Sequence, residues 1–222
     1  MKKFAIILIL LVALPAWASA QTIKEINKPA IEGLDEVTPF HEGYAAVRKG
    51  DQWGFINTEG DLVIPFRDDL VWQREPDPEA KGIRSIAYPR FNNGRCPFRS
   101  AGEDDIPVYG FIDPQGRIAV QPEFLNVTEY TQGYAIGIYH KKTFRGKNNF
   151  QLNIYDYSFT EVILNPDGEM VWPLGERQNI LMEPRRYKIP DIHARMLTES
   201  LIAVETTPSR WEIRRIDLKN NF

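Results

Sequence analysis

The 222-residue chain holds 27 basic and 30 acidic residues, for a formal net charge of −3, and is 43% hydrophobic and 12% aromatic. Such a content suffices to bury a core and excludes disorder throughout, while the mildly acidic balance speaks against nucleic-acid binding. Cys96 is the only cysteine, so an intrachain disulfide is excluded and stability has to come from packing.

Lys2 and Lys3, the apolar run Phe4 to Leu14, Pro15 and the small-residue site Ala18-Ser19-Ala20 follow the order of a secretory signal peptide. Residues 1–20 are therefore read as cleaved after Ala20, with Gln21 the first mature residue. The apolar run has 11 residues, against the roughly 20 that a spanning helix needs, and no later segment comes near that length. No cysteine stands at the cleavage site to carry a lipid, so no lipoprotein is expected. The expectation is a soluble, periplasmic or secreted protein with no membrane span after cleavage, at net −5 once Lys2 and Lys3 are removed.

Downstream the sequence repeats itself. Leu34-Asp-Glu-Val37-Thr38-Pro-Phe40-His-Glu-Gly43-Tyr44-Ala45 aligns without gaps to Phe124-Leu-Asn-Val127-Thr128-Glu-Tyr130-Thr-Gln-Gly133-Tyr134-Ala135. Shorter echoes are Phe91-Asn-Asn-Gly94 and Glu199-Ser-Leu-Ile-Ala203-Val204. A second element follows: Trp53-Gly54-Phe55-Ile56-Asn57-Thr-Glu-Gly60-Asp-Leu62-Val63-Ile64-Pro65 matches Tyr109-Gly110-Phe111-Ile112-Asp113-Pro-Gln-Gly116-Arg-Ile118-Ala-Val120. A third copy fits in two registers, through Ile163-Leu164-Asn165-Pro-Asp-Gly168 to Pro173, or through Ile154-Tyr155-Asp156 and Val162-Ile163. A fourth keeps Arg210-Trp211 and Ile216-Asp217 and reads as a degenerate capping repeat.

Asn57 to Gly60 and Asp113 to Gly116 place Asn or Asp three residues before glycine, which suits a type I turn closed by a glycine bulge. With apolar runs on either side, each reads as a β-hairpin. Tyr44 to Lys49 supplies a preceding strand and Gly50-Asp51 a tight turn, so one unit is about three antiparallel strands. Gly54 and Gly110 would admit the close approach of a ring or backbone. Repeated aromatics such as Trp53, Phe55, Tyr109 and Phe111 answer a repeated packing need, and are read as core instead of as a stacking platform. Cys96 is read as a small buried hydrophobe, in preference to a reactive thiol or an intermolecular disulfide.

On these residues the chain resembles the bacterial WG-repeat family, whose unit runs aromatic-x-Glu-Gly-Leu-Ala-x-Val, a loop, Trp-Gly-Phe-Ile-Asp-x-x-Gly and Val-Ile-Pro. Phe40 to Pro65 matches nearly every position; residues 91–122 match with Tyr109 in place of Trp. The resemblance covers 34–173 well and 198–217 faintly. It implies a β-rich repeat scaffold without a generally assigned catalytic site. The expected fold is all-β, an array of antiparallel hairpin repeats, open and stacked in preference to a propeller-like closure. The expected organisation is a signal peptide at 1–20, a repeat domain at 21–175 with units at about 34–72, 88–125 and 126–175, and a C-terminal segment at 176–222.

Insertions in a repeat array map to loops, and such loops often bind. Gln73 to Arg90 contains the proline-stiffened Glu75-Pro-Asp-Pro-Glu79. Arg99 to Pro107 carries the acidic Glu103, Asp104 and Asp105, while His140 to Asn149 carries Lys141, Lys142, Arg145 and Lys147. The two are expected to be equivalent loops of opposite charge and are read first as solvated hairpin tips; the alternatives are Ca²⁺ for the acidic one, though three acids in a row lack an EF-hand pattern, phosphate or an anionic membrane surface for the basic one, or each other in neighbouring molecules. Glu176 to Thr198 leaves the strand pattern, with a short helix expected around Asp191 to Leu197.

His41, His140 and His193 lack metal-ligand spacing, and no nucleophile elbow, phosphate loop or zinc-protease motif occurs. Asn126-Val-Thr128 is a glycosylation sequon, read as strand-flanking sequence. The expected function is non-catalytic: a binding or scaffold protein of the bacterial envelope or exterior, without cofactor or metal, meeting a protein or surface glycan through its loops and capable of self-association. The alternative is a hydrolase acting on envelope polymers with carboxylates from those loops.

Overall fold

The computed structural model describes residues 23–102, 105–207 and 210–217. The signal-peptide residues 1–20 and the acidic pair Glu103-Asp104 lie outside the described residues. The chain divides into two units, 1–32 and 33–222. In the first, the described residues form a four-residue helix, α1 (Ile23–Ile26), and an irregular stretch after it. Among the described residues no helix is long and apolar enough to cross a membrane.

The second unit is a β protein. Strands β1 (Glu36–Val37), β2 (Ala45–Lys49), β3 (Gln52–Ile56) and β4 (Leu62–Arg67) pair in that order as one antiparallel sheet. A seven-stranded sheet follows: β5 (Cys96–Ala101), β6 (Pro107–Ile112), β7 (Ile118–Val127), β8 (Ala135–Lys147), β9 (Asn153–Leu164) and β10 (Met170–Pro173) in chain order, with β11 (Gln178–Asn179) also paired to β9. The third sheet is β12 (Ala194–Thr198), β13 (Leu201–Thr207) and β14 (Arg210–Arg215). None of the three is closed into a barrel, as an open repeat array requires. A bridge between Leu70 and Phe98 joins the first meander to β5.

The repeat has a physical reason at each signature position. Glu42, Asn93 and Gln132 sit at φ of 50°, 51° and 56°, each followed by glycine at positive φ, so the three units open on the same tight turn. These turns are bonded to one another: the Glu42 carboxylate accepts from the N–H groups of Asn93 and Gly94 at 2.7 and 2.8 Å, and Asn93 Oδ1 accepts from Gly133 N–H at 3.3 Å. The repeated threonines close the next step, with Thr38 Oγ accepting from Ala46 N–H and Thr128 Oγ from Ile136 N–H, both at 2.9 Å. Aromatics stack one unit on the next, Phe91 on Phe55 with centroids 4.6 Å apart and Tyr130 on Phe111 at 4.8 Å. Trp53, Phe55, Tyr109 and Phe111 are all buried, so they are core.

The glycine of each Trp-Gly or Tyr-Gly pair answers to a bulge in the neighbouring strand. Trp53 pairs with Arg67 and Phe55 with Ile64, so β4 bows over Gly54; β7 does the same over Gly110 between Val120 and Phe124. A Cβ on Gly110 would stand 2.4 Å from Val120 O, and one on Gly54 2.8 Å from Ile64 O. Pro65 and Pro122 fall on these bulges, where a missing N–H is tolerated. In the third unit the hairpin closes through Asn165 to Gly168, which settles the register in favour of Ile163-Leu164-Asn165. There Val162 replaces the glycine, and Pro173 pairs with it directly instead of arching over it.

Two expectations are corrected. Asp191 to Leu197 is not a helix: β12 runs through Ala194–Thr198 and pairs with β13. The basic segment is not a loop either, because Lys141 to Lys147 continue β8 and pair with β9, interrupted only by a bulge at Arg145. The proline-stiffened stretch 75–79 is exposed as read, but the same insertion dives inward at 3-10 turn η1 (Gly82–Ser85), burying Ile83 and Ile86.

Candidate binding surface

In the first two units the connection corresponding to β8–β9 is short, Gly50-Asp51 in one and Gly102 to Ile106 in the other. In the third it becomes an arm of two paired strands. From Lys141 opposite Ser158 to Lys147 opposite Asn153 the arm extends about 20 Å at the usual strand rise. Its tip uses the turn already seen in the repeats. Asn148 Oδ1 accepts from the N–H groups of Phe150 and Leu152, both at 2.9 Å, as Asn57 Oδ1 does from Glu59 and Asp61 and Asp113 Oδ1 from Gln115 and Arg117. Gln151, at φ 62°, takes the place of the glycine.

Both faces of the arm are open to solvent. Lys142 opposes Tyr157 and Phe144 opposes Tyr155, so these four share a face. The rings of Phe144 and Tyr155 lie 5.6 Å apart, and Lys142 Nζ sits 4.3 Å from the Tyr155 ring and 5.6 Å from that of Tyr157. Arg145 is the extra residue of a bulge and pairs with Asp156 at 2.6 Å. The large apolar side chains here are exposed: Phe150 is 83% accessible, Leu152 64% and Phe144 55%. Four bases and one acid fall between Lys141 and Tyr157, so the arm is net +3 in a chain that is net −3.

Lys141, Lys142, Arg145 and Lys147 are thus brought together on one projecting hairpin. Of the acidic residues, Asp105 lies in the β5–β6 connection at φ 59°, and Glu103 and Asp104 are outside the described residues.

A second surface feature is a groove of about 530 Å³ between the 78–86 insertion and the third sheet. Trp211 stands at its edge with Lys81 Nζ 4.8 Å and Arg195 Cζ 5.0 Å from its ring. Two of its carboxylates are held by cations and an amide: Glu205 binds Lys81 at 3.0 Å, and Glu129 takes Arg90 at 2.6 and 2.7 Å and Asn92 at 2.8 Å. No group of three or more His, Cys, Asp or Glu that could hold a metal ion occurs among the described residues.

Cys96 is fully buried and occupies the slot that Ala45 and Ala135 fill in the neighbouring units. Burial pushes its thiol well above the ordinary range, which makes it a packing residue with little thiolate. Asn126 of the sequon is also fully buried, and both its polar groups are engaged: Oδ1 accepts from Ile83 N–H at 3.1 Å and Nδ2 donates to Pro190 O at 2.9 Å. The folded chain offers no room for a glycan there.

Glu161 escaped the sequence reading. Aligned on Asn165, it takes the Trp53 slot of the third unit, and it carries the third sheet: its Oε1 accepts from the N–H groups of His193 and Ala194, both at 3.0 Å. Burial raises its pKa above the glutamate range, while His193 and the two N–H groups pull it back. A raised folded-state pKa means that the contribution of Glu161 to stability is fully present below the ordinary glutamate value and is lost as pH rises through the raised one. Glu161→Gln keeps an acceptor and removes the buried charge, so it should lose less stability than the wild type between pH 4 and pH 7 in urea titrations. Glu161→Ala strands two amides and should cost about 2 kcal/mol near pH 4, and less toward pH 7 as the wild type loses the contribution of its carboxyl.

Turn ladder, bulged hairpins and stacked aromatics define a β-repeat protein of the open antiparallel kind. Three stretches of the chain, residues 25–53, 53–67 and 109–136, match the family model described as WG containing repeat. No curated protein and no solved structure gives a match.

Proposed function

We propose that this chain is a non-catalytic binding protein of the bacterial envelope or exterior, in which the WG-type repeats are the scaffold and the β8–β9 arm is the contact element. The observation that carries this reading is the arm, which leaves large apolar and basic side chains exposed on two strands that bury almost nothing. A two-stranded ribbon is marginal alone in water, and contiguous apolar exposure on a soluble protein marks an interaction surface. Nothing in the packing of the repeats calls for the outer residues of the arm, since units one and two close the same connection with short turns.

Replacing Phe144 to Tyr155 by Asn-Gly, to join Thr143 to Asp156 through a two-residue turn and keep Tyr157 on the core and on the Ile180 amide, should leave the unfolding midpoint nearly unchanged. The same variant should lose capture of envelope components in pull-downs from the protein's own cells. Undiminished capture would refute the role given to the arm.

A further inference from the structure

The distribution of side chains along the arm suggests what it meets. Its outermost residues, Asn148 to Asn153, carry no charge and present Phe150 and Leu152 to solvent. Just behind them come Lys147 and Arg145, then the ring pair Phe144 and Tyr155, then Lys141 and Lys142 with Tyr157 nearer the sheet. The character of the arm therefore changes with distance from its tip, from apolar to basic to amphipathic aromatic. Between its faces it changes less, because bases and large apolar groups occur on both. A groove on a folded partner reads one face of a ribbon. A planar interface between water and hydrocarbon reads depth.

Charge selects among such interfaces. The arm is net +3 on an acidic chain, and its one carboxylate, Asp156, is already paired with Arg145. Lysines at the root of an apolar tip seek anionic headgroups, while Tyr155 and Tyr157 are the ring type that settles at the headgroup level. A zwitterionic surface would supply the apolar phase without the countercharge.

Resting on the reading of the arm as the contact element, we infer that its partner is an anionic lipid surface, entered tip first by Phe150 and Leu152 and held by Lys147 and Arg145 just behind them. This is peripheral binding: these two bases stay at the headgroups, and only the neutral tip enters the apolar layer.

The test uses the protein purified in the form its own cells hold, with phosphatidylcholine vesicles that contain or lack phosphatidylglycerol, scored by cosedimentation at low and high salt. Binding is expected only with phosphatidylglycerol and should weaken as salt rises. Phe150→Ser with Leu152→Ser, and separately Arg145→Glu with Lys147→Glu, should each reduce it at least about tenfold without altering the circular dichroism spectrum, since all four side chains are exposed. Equal binding to both vesicle types, or binding that survives either pair, would overturn the inference. Absence of vesicle binding, with envelope capture still lost on shortening the arm, would overturn the lipid assignment and leave a protein or glycan as partner. If the Arg145 and Lys147 variant instead abolishes a concentration-dependent mass in light scattering and no vesicle is bound, the occupant is a second copy. Failure of both vesicle binding and arm-dependent capture would remove the arm from function altogether.

Discussion

Gly110→Ala should lower the unfolding free energy by about 3 kcal/mol or more, a large share of what a domain of this size possesses. The added methyl would meet backbone on every side, at 2.4 Å from Val120 O, 2.8 Å from Pro122 N and 2.9 Å from Gln121 C. Backbone cannot swing aside as a side chain can, so either the β7 bulge opens or the β6–β7 pairing slips. Slippage would carry Phe111 out from beneath Tyr130 and expose the stacking contact between units. Gly54→Ala should act in the same direction but less, because its nearest backbone contact is 2.8 Å and the next atom, Leu62 Cδ1, is a mobile side-chain end. Urea midpoints of the two variants decide the matter; a wild-type midpoint for Gly110→Ala would mean that the bulge is soft and that the glycine is not required by it.

The second large effect lies at Asn126. Asn126→Ala leaves the Ile83 amide and the Pro190 carbonyl buried without their partner, and should cost about 3 kcal/mol. Gly82→Ala attacks the same joint from the other side: Gly82 has φ +79°, and a Cβ there would lie 2.2 Å from Asn126 Oδ1. The two changes should not add. With Asn126 already truncated the clash with it disappears, leaving the backbone strain at positive φ and a 3.0 Å contact with the movable Ile192 Cδ1, so the double variant should be more stable than the sum of the single losses implies. Additive losses in a double-mutant cycle would show that η1 is held by its buried isoleucines and owes little to the asparagine.

Much of the scaffold could be read from residues alone, because a repeated turn is a local object. The Glu-Gly, Asn-Gly and Gln-Gly turns, the Asn or Asp placed three residues before glycine, and the glycine beside each large aromatic all express their geometry within a few positions. What stayed hidden depends on distant chain. Ala194-Arg-Met-Leu197 has good helix formers, yet β13 imposes a strand on it through pairing that extends to Ala194 and Val204. Lys141 to Lys147 looks like a loop because a ribbon wet on both faces has no apolar alternation to betray it. The charges of the arm were legible, but their rigid placement on paired strands was not. Asn126 and Glu161 gave no signal, since their partners at Pro190, His193 and Ala194 lie more than thirty residues away.

The meander also separates two kinds of closure. Within the sheets every strand except the two-residue β11 meets its neighbour in sequence, so pairing gathers only a short length of chain and can spread from any unit. The clips from Asn126 to Pro190 and from Glu161 to His193 gather 64 and 32 residues. Because the entropy of loop closure rises with the length enclosed, these clips are favoured once the intervening strands have already shortened the path. The C-terminal sheet is thus a latch that closes on a finished array, and the order of events in folding is written into which bonds are local and which are not.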